Sequence, residues 1–409
     1  MKKEQLIKTI AIVIILCFCF LGCGKSLDGS SYVSSSMPIS TIQDNKGATA
    51  ESKDFTWEET EVELSDTNSK VFPLLFYPPP SQEISLSMTV LEISNFDVLY
   101  GLYGQPENKS DQPTCYLKSI GWYDLSLGKT IFTFEIDADL INWQAIKSSN
   151  GFDFTLFTKD QQNSHHYTWY HWEKEQPTPT KLREGNYTPE WPPQLLYYND
   201  EICLFEYEQK QNEIFLVKAN QKEGFFKISP QHYLLDMNLS TNGNEILILE
   251  ATATETNFCI LRNGNYIAQR QLASNEKPVF SYMLNDGALL YLQDLSLSTK
   301  EPMYKIVWWP LLGEERTFSS EINLSQGSSN QTDRVNFIEF KNSTEAVVHT
   351  FIKQNDSILI ENTALPKGFS SFPESIFSQP NENALYIFTQ QSQAVLIFAN
   401  NDKNITNSK

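Results

Sequence analysis

Three of the five histidines fall within one eight-residue stretch, His165-His166-Tyr167-Thr168-Trp169-Tyr170-His171-Trp172. Imidazoles move protons or hold metals, and aromatic faces stack against flat ligands. On an extended strand the side chains alternate. His165, Tyr167, Trp169 and His171 then share one face, and His166, Thr168, Tyr170 and Trp172 the other. At roughly 3.4 Å per residue His165 and His171 stand about 20 Å apart, too far to hold one ion, so no metal site is assigned. The chemistry left is stacking. His165, Tyr167, Trp169, Tyr170, His171 and Trp172 are the candidate ligand-binding residues, offering a glycan large apolar area at low entropy cost. The same pattern suits an amphipathic strand whose rings fill the space between packed sheets.

Other chemistry is not signalled. The chain has no GxxxxGK[ST], HExxH, GxSxG, helix-opening GxGxxG or twelve-residue calcium loop, and no close cysteine pairs for zinc after residue 23. No catalytic residue and no cofactor is assigned. Carboxylate runs such as Trp57-Glu58-Glu59-Thr60-Glu61 and Glu314-Glu315 read as solvated faces. Glycoside cleavage needs two carboxylates about 5–10 Å apart across a cleft, and among 50 acidic residues the sequence ranks no pair. The net charge of −19 repels phosphate backbones and excludes broad nucleic-acid binding.

The N-terminus carries an address. Lys2, Lys3 and Lys8 precede a 12-residue apolar run, Ile10 to Leu21. A basic start, a short apolar run and a small residue make up a secretory signal, and the run falls short of the about 20 residues of a spanning helix. Phe20-Leu21-Gly22-Cys23 resembles the lipobox of bacterial lipoproteins. Gly22 and Cys23 match that pattern, whereas Phe20 and Leu21 depart from its commonest residues. The resemblance implies cleavage between Gly22 and Cys23, a diacylglycerol on Cys23, and a protein held on the extracytoplasmic face of a bacterial membrane. Loss of residues 1–22 leaves 28 basic and 49 acidic residues, a net −21, so lipid and not basic side chains makes the contact. Cys115, Cys203 and Cys259 remain, an odd number that leaves at least one unpaired. Cys203 and Cys259 sit in apolar runs and read as small core residues, with a bridge between them as the alternative.

Residues 23–53 form the lipidated tether, with eight serines in 24–53 and almost no apolar periodicity. From about Val71 helix-period stretches are nearly absent, and short apolar runs alternate with Asn, Asp, Gly, Ser and Pro. Seven turns led by Asn95, Asn150, Asn199, Asn242, Asn285, Asn342 and Asn381 each precede an apolar strand, at intervals of 55, 49, 43, 43, 57 and 39 residues. Asn followed by Gly or Asp tolerates the positive φ of tight hairpins. One four-stranded propeller blade takes about 40–50 residues, so the chain is predicted to be all-β. The architecture is about seven four-stranded antiparallel blades over residues 54–400, followed by a polar tail at 401–409. After Asn381 two apolar runs remain, so a closing strand is expected from Val62–Leu64 or Val71–Tyr77.

Trp122-Tyr123-Asp124-Leu125-Ser126-Leu127-Gly128-Lys129 resembles the strand-and-turn phrase of WD40-like and quinoprotein-like propellers, and Trp309-Pro310-Leu311-Leu312-Gly313-Glu314 is a fainter copy. The resemblance covers two units and implies architecture, not activity. With the lipobox, it implies a non-catalytic binding or scaffold module of the cell envelope whose partner is an envelope protein or glycan. A carbohydrate-active enzyme on the same scaffold is the alternative. A two-lobed solute-binding lipoprotein is disfavoured by the scarcity of helix-period segments.

Overall fold

The computed structural model describes residues 55–65, 69–74, 87–94, 96–104, 115–160, 162–235, 239–296, 303–320, 322–342, 345–355, 357–366, 375–378, 384–389 and 394–399. The chain divides into two units, Met1–Ser52 and Lys53–Lys409. Gly22, Cys23, the tether and the 401–409 tail lie outside the described residues, as do Asn95 and Asn381.

The described elements are all strands. Two come first, β1 (Thr56–Val62) and β2 (Ser69–Pro73). A seven-stranded antiparallel sheet follows in chain order: β3 (Ser87–Ser94), β4 (Asp97–Gly104), β5 (Cys115–Asp124), β6 (Lys129–Lys147), β7 (Gly151–Lys159), β8 (His165–Glu173) and β9 (Thr180–Asn186). The next sheet holds β10 (Gln194–Tyr198), β11 (Glu201–Glu208), β12 (Glu213–Lys218) and β13 (Gln221–Lys227). The third holds β14 (Tyr233–Leu234), β15 (Ser240–Thr241), β16 (Glu245–Ala251), β17 (Thr256–Arg262) and β18 (Asn265–Gln271), with β14 and β15 both on β16. The fourth holds β19 (Glu276–Leu284), β20 (Gly287–Asp294), β21 (Met303–Pro310) and β22 (Arg316–Ser320). The fifth holds β23 (Leu324–Ser329), β24 (Arg334–Asn342), β25 (Glu345–Lys353) and β26 (Ser357–Ala364), and the sixth β27 (Ser375–Ser378), β28 (Ala384–Thr389) and β29 (Ala394–Ala399).

Burial explains the sequence pattern. Middle strands such as β16 (Glu-Ile-Leu-Ile-Leu-Glu-Ala) are buried at every position because a neighbouring sheet covers each face. Outer strands such as β18 are mostly exposed and correspondingly polar. The core is a series of layers between sheets. Phe205, Ile214 and Phe226 meet Ile246, Ile248 and Leu261 in one layer, and Leu290, Val307 and Trp309 meet Leu247, Phe258 and Ile260 in the next.

The strands that begin each unit touch in a closed circuit: β3 on β6, β6 on β10, β10 on β15, β15 on β19, β19 on β23, β23 on β27 and β27 back on β3. This is a β-propeller with antiparallel blades. These inner strands have one unpaired edge, and side chains of the preceding unit satisfy their N–H groups. Gln144 Oε1 accepts from Leu195 N at 2.7 Å, Gln194 Oε1 from Leu239 N at 2.8 Å, Ser240 Oγ from Met283 N at 2.8 Å and Ser328 Oγ from Ser378 N at 2.8 Å.

Three sequence expectations are corrected or completed. Five sheets are separate blades, not seven. Residues 87–186 form one sheet because β6 runs unbroken for 19 residues, pairing with β5 through Lys129–Leu140 and with β7 through Leu140–Lys147. That sheet folds on itself, so Leu99 and Trp122 of its first part pack on Phe152, Phe154 and Trp172 of its second. Secondly, Asn342 ends β24 just before the apolar strand β25, as expected, but a hairpin that the sequence did not mark precedes it in the same sheet. The first hairpin there is Asn330–Asp333, where Asn330 Oδ1 accepts from the backbone N–H of Thr332, Asp333 and Arg334 at 3.1, 3.1 and 2.9 Å. Thirdly, the closing strand comes from the second candidate segment, through Val71–Pro73, and not from Val62–Leu64. β2 pairs antiparallel with β29 and completes the last blade, while β1 adds parallel to β26 as a fifth strand.

Candidate functional site

β8 carries the sequence-predicted stacking residues, and it is a middle strand, paired to β7 and β9. Tyr167 and Trp169 are 2% exposed and pack with Phe157, Leu195, Leu204 and Val217. Trp172 is fully buried, edge-on to Trp122 with centroids 5.9 Å apart. Their polar tips are satisfied internally. Trp169 Nε1 donates to Asp153 Oδ2 at 2.8 Å, Trp172 Nε1 to the Gln176 carbonyl at 2.9 Å, and the Tyr167 hydroxyl to Glu206. Burial and Glu206 push the Tyr167 hydroxyl well above the ordinary phenol range. These three rings therefore fill space between sheet layers and offer no open face, which corrects the stacking expectation at Tyr167, Trp169 and Trp172. His165, Tyr170 and His171 stay half-buried, with Tyr170 stacked on Phe154 at 5.2 Å and 19°.

The two terminal histidines of the strand differ electrostatically. His171 Nδ1 lies 2.6 Å from Asp153 Oδ1, and its Nε2 lies 3.6 Å from Glu173. The Asp153 hydrogen bond raises the His171 pKa despite desolvation. His165 packs edge-on to Tyr187, and burial together with Lys159 lowers its pKa.

The geometry points elsewhere for a ligand. Beside the turn between β6 and β7 a cleft of about 460 Å³ opens, lined by Ser94, Asp97, Lys147, Ser148, Asn150 and Lys174 among others. Its size lies within the about 300–1,000 Å³ of small-molecule sites. Asp97 begins β4, and both of its oxygens lie 2.9 Å from Lys174 Nζ. Trp122 Nε1 also donates to Asp97 Oδ1 at 3.0 Å. Lys174 lies 3.9 Å from Asp124 as well. Burial raises the Asp124 carboxyl, but hydrogen bonds from Ser126 and Leu127 and the Lys174 charge outweigh it and hold it below the usual range. Glu173 accepts from Gln176 Nε2 at 2.8 Å.

The wall is set by a close backbone approach. Gly151 sits where an added Cβ would overlap the Trp172 carbonyl oxygen, and the Lys174 N–H donates to the Asn150 carbonyl at 3.0 Å. Ser94, 2% exposed, and Ser148 each present a buried Oγ with no hydrogen-bond partner among the described residues. The sequence marked the turn at Asn150 but gave no sign that it faces Asp97. Among the described residues, no group of three or more His, Cys, Asp or Glu is placed to hold a metal ion, and no helix is long and apolar enough to cross a membrane.

No family model and no curated protein matches the chain. Solved structures match at the level of fold. A prolyl endopeptidase is 12% identical with a TM-score of 0.46, and the match covers 74% of this chain but 45% of that one. The β-propeller domain of Cps50 (Swd1) from Myceliophteria thermophila is 10% identical over 73% of this chain and 93% of that one, TM-score 0.40. The WD40 domain of SCAP from fission yeast is 8% identical over 81% and 98%, TM-score 0.38. At these identities the likeness concerns the fold and carries no activity to this chain.

Proposed function

We propose that this chain is a lipid-anchored bacterial lipoprotein of the extracytoplasmic membrane face, whose propeller is a non-catalytic binding or scaffold module of the cell envelope. The observation that carries the binding reading is the cleft. Its charged groups Asp97 and Lys174 are spent on each other and on Trp122, which builds a rigid polar recognition surface and not an activated nucleophile. The anchor rests on the Gly22-Cys23 lipobox and its basic, apolar leader.

Two experiments test the two halves. Crosslinking in intact cells followed by pull-down recovers an envelope protein or glycan, and recovery of none across several growth conditions refutes the binding reading. Cys23→Ala shifts the protein out of the membrane fraction, and unchanged membrane partitioning of a cleaved variant refutes lipidation. A carbohydrate-active enzyme would draw on Asp97, Glu173 and Glu175 in the same cleft, and product from a glycan panel would establish it.

A further inference from the structure

We propose that the end of the propeller carrying the Leu127 and Leu312 turns rests on the lipid surface of the membrane, with those two side chains seated at the headgroup level. The inference rests on the lipid-anchor reading above and names the surface that meets the bilayer.

Topology puts three features at one end. Strands alternate in direction within a unit, so the turn between its first two strands and the turn between its last two lie together. Backbone hydrogen bonds tie these turns in pairs. Leu125 N donates to the Phe96 carbonyl at 2.7 Å, Leu311 N to the Asp286 carbonyl at 2.8 Å and Lys353 N to the Asp333 carbonyl at 2.7 Å. Asn285 N donates to the Thr332 carbonyl at 2.8 Å and joins two neighbouring units at the same end. Inner strands of a propeller run one way round the ring, as the parallel bridge between Tyr198 and Gly243 records, so corresponding turns share an end. The first pair of turns holds Leu127 and the second Leu312. The third leads into β26, whose first residue, Ser357, is the partner of Thr56 at the start of β1. Because β1 runs parallel to β26, the chain from the tether joins the propeller at this end too.

Length decides which end meets the lipid first. Residues 24–53 number 30, and a Ser-rich tether of that length reaches about 30 Å at roughly 5–6 Å × √n. Passing to the opposite end uses the length of a seven-residue strand such as β16, about 24 Å at roughly 3.4 Å per residue. Little of the reach is then left.

The turns at the tethered end suit a bilayer interface. Leu312 is 92% exposed and Leu127 61%, the highest values for large hydrophobic side chains among the described residues. Each stands directly before a glycine at positive φ, Gly313 (112°) and Gly128 (62°), at the tip of a tight turn. At the opposite end Ile141, Tyr233, Leu235 and Leu295 are 43–52% exposed, half covered by their own sheets. Charge does not drive the contact. Glu315 accepts from Arg270 Nε at 2.6 Å, and Glu314 lies 3.5 Å from Arg316. Asp200, Asp286 and Lys129 are exposed in other turns of this end, so it carries both signs. The contact is therefore apolar, and salt should not screen it. Asp97, Asn150 and Lys174 belong to turns of this end as well, so the cleft opens against the membrane surface.

The test places a nitrobenzoxadiazole dye on Leu127→Cys, Leu312→Cys or Leu295→Cys in the full lipidated chain. Each labelled chain is reconstituted on phosphatidylcholine vesicles that carry a nitroxide near the headgroup. The unsubstituted chain, labelled in parallel, supplies the background, and the dye at Leu295 controls for insertion driven by the dye itself. Quenching at positions 127 and 312 is expected to exceed that at 295 at least twofold, at low and high salt alike. Equal quenching at the three positions, or stronger quenching at 295, in a chain that floats with the vesicles overturns the orientation and leaves the anchor standing. Quenching lost at high salt overturns the apolar contact. A chain that does not float with the vesicles refutes the anchor, and this orientation with it.

Discussion

His171 Nδ1 lies 2.6 Å from Asp153 Oδ1, and the same buried carboxylate accepts the Trp169 indole N–H at 2.8 Å through its other oxygen. One acid thus locks two rings of β8 to β7. Because the contact favours the imidazolium, the folded pKa of His171 stands above its ordinary 6.5. The stabilisation is full below about pH 6.5 and is lost as pH rises through the raised folded value. Proton NMR titration should place His171 above 6.5 and His165 below it, since burial lowers the latter. Asp153→Asn should bring His171 down and remove its share of the pH dependence of urea unfolding. A His171 pKa below that of His165 would refute this electrostatic account.

Asn330 and Asn342 stand at two successive hairpins of one sheet and carry very different loads. Asn330 is 1% exposed and its Oδ1 accepts three backbone N–H groups. Asn342 is exposed, with Nδ2 donating to Glu345 at 2.8 Å. Asn330→Ala leaves one buried and two part-buried N–H donors without this acceptor and should cost about 2 kcal/mol, whereas Asn342→Ala should cost about 0.5 kcal/mol or less. Chemical denaturation of the two variants reads the difference directly.

That contrast shows what was legible. The repeat could be read because tight hairpins need positive φ, and Asn199 (φ 50°), Asp200 (φ 63°) and Asp286 (φ 66°) supply it with residues that tolerate it. At Asn330 the positive φ falls on Gln331 (φ 64°), which carries no such signal. The long sheet was hidden because β6 runs unbroken from Lys129 to Lys147 and changes partner at Leu140 with no turn to mark it. On β8 the alternation was visible, but a strand covered on both faces and a strand with one open face share it. Ser94 and Ser148 were illegible as a pair because only the fold of β6 brings their hairpins to one cleft.

Gly151 is tied to Trp172 by a close backbone approach that leaves no room for a side chain. Gly151→Ala must push β7 from β8 beside the cleft. It should cost about 1–3 kcal/mol, the usual range for overpacking. It should also weaken any cleft ligand more than Ser126→Ala, a change in the neighbouring turn. Denaturation and titration of both variants check this.

Cys203 and Cys259 are free and buried in the same core layer. Burial pushes the Cys203 thiol up to about 11 and raises Cys259 further from the thiolate range. Since the thiolate is the nucleophile, iodoacetamide at pH 8 should leave both unmodified in the native protein. Both should react after unfolding without any reductant. Mass spectrometry showing a Cys203–Cys259 bridge would overturn the assignment.

The last blade depends on a strand from the start of the folded unit. β2 pairs with β29 from Ser69–Phe398 to Pro73–Ala394, and Phe72 packs edge-on to Phe96 at 5.5 Å. Trp57 of β1 packs on Phe318 of the adjoining blade at 5.5 Å. Deleting residues 1–54 touches neither strand and should leave the melting temperature in place. Deleting residues 1–73 bares the β29 edge, whose N–H and C=O groups then template pairing with other chains. That variant should melt earlier and gain mass in light scattering. Phe72→Ala, which keeps the strand and removes half-buried packing, should cost about 1–2 kcal/mol without association. Equal melting of the two deletions would show that β2 does not close the ring.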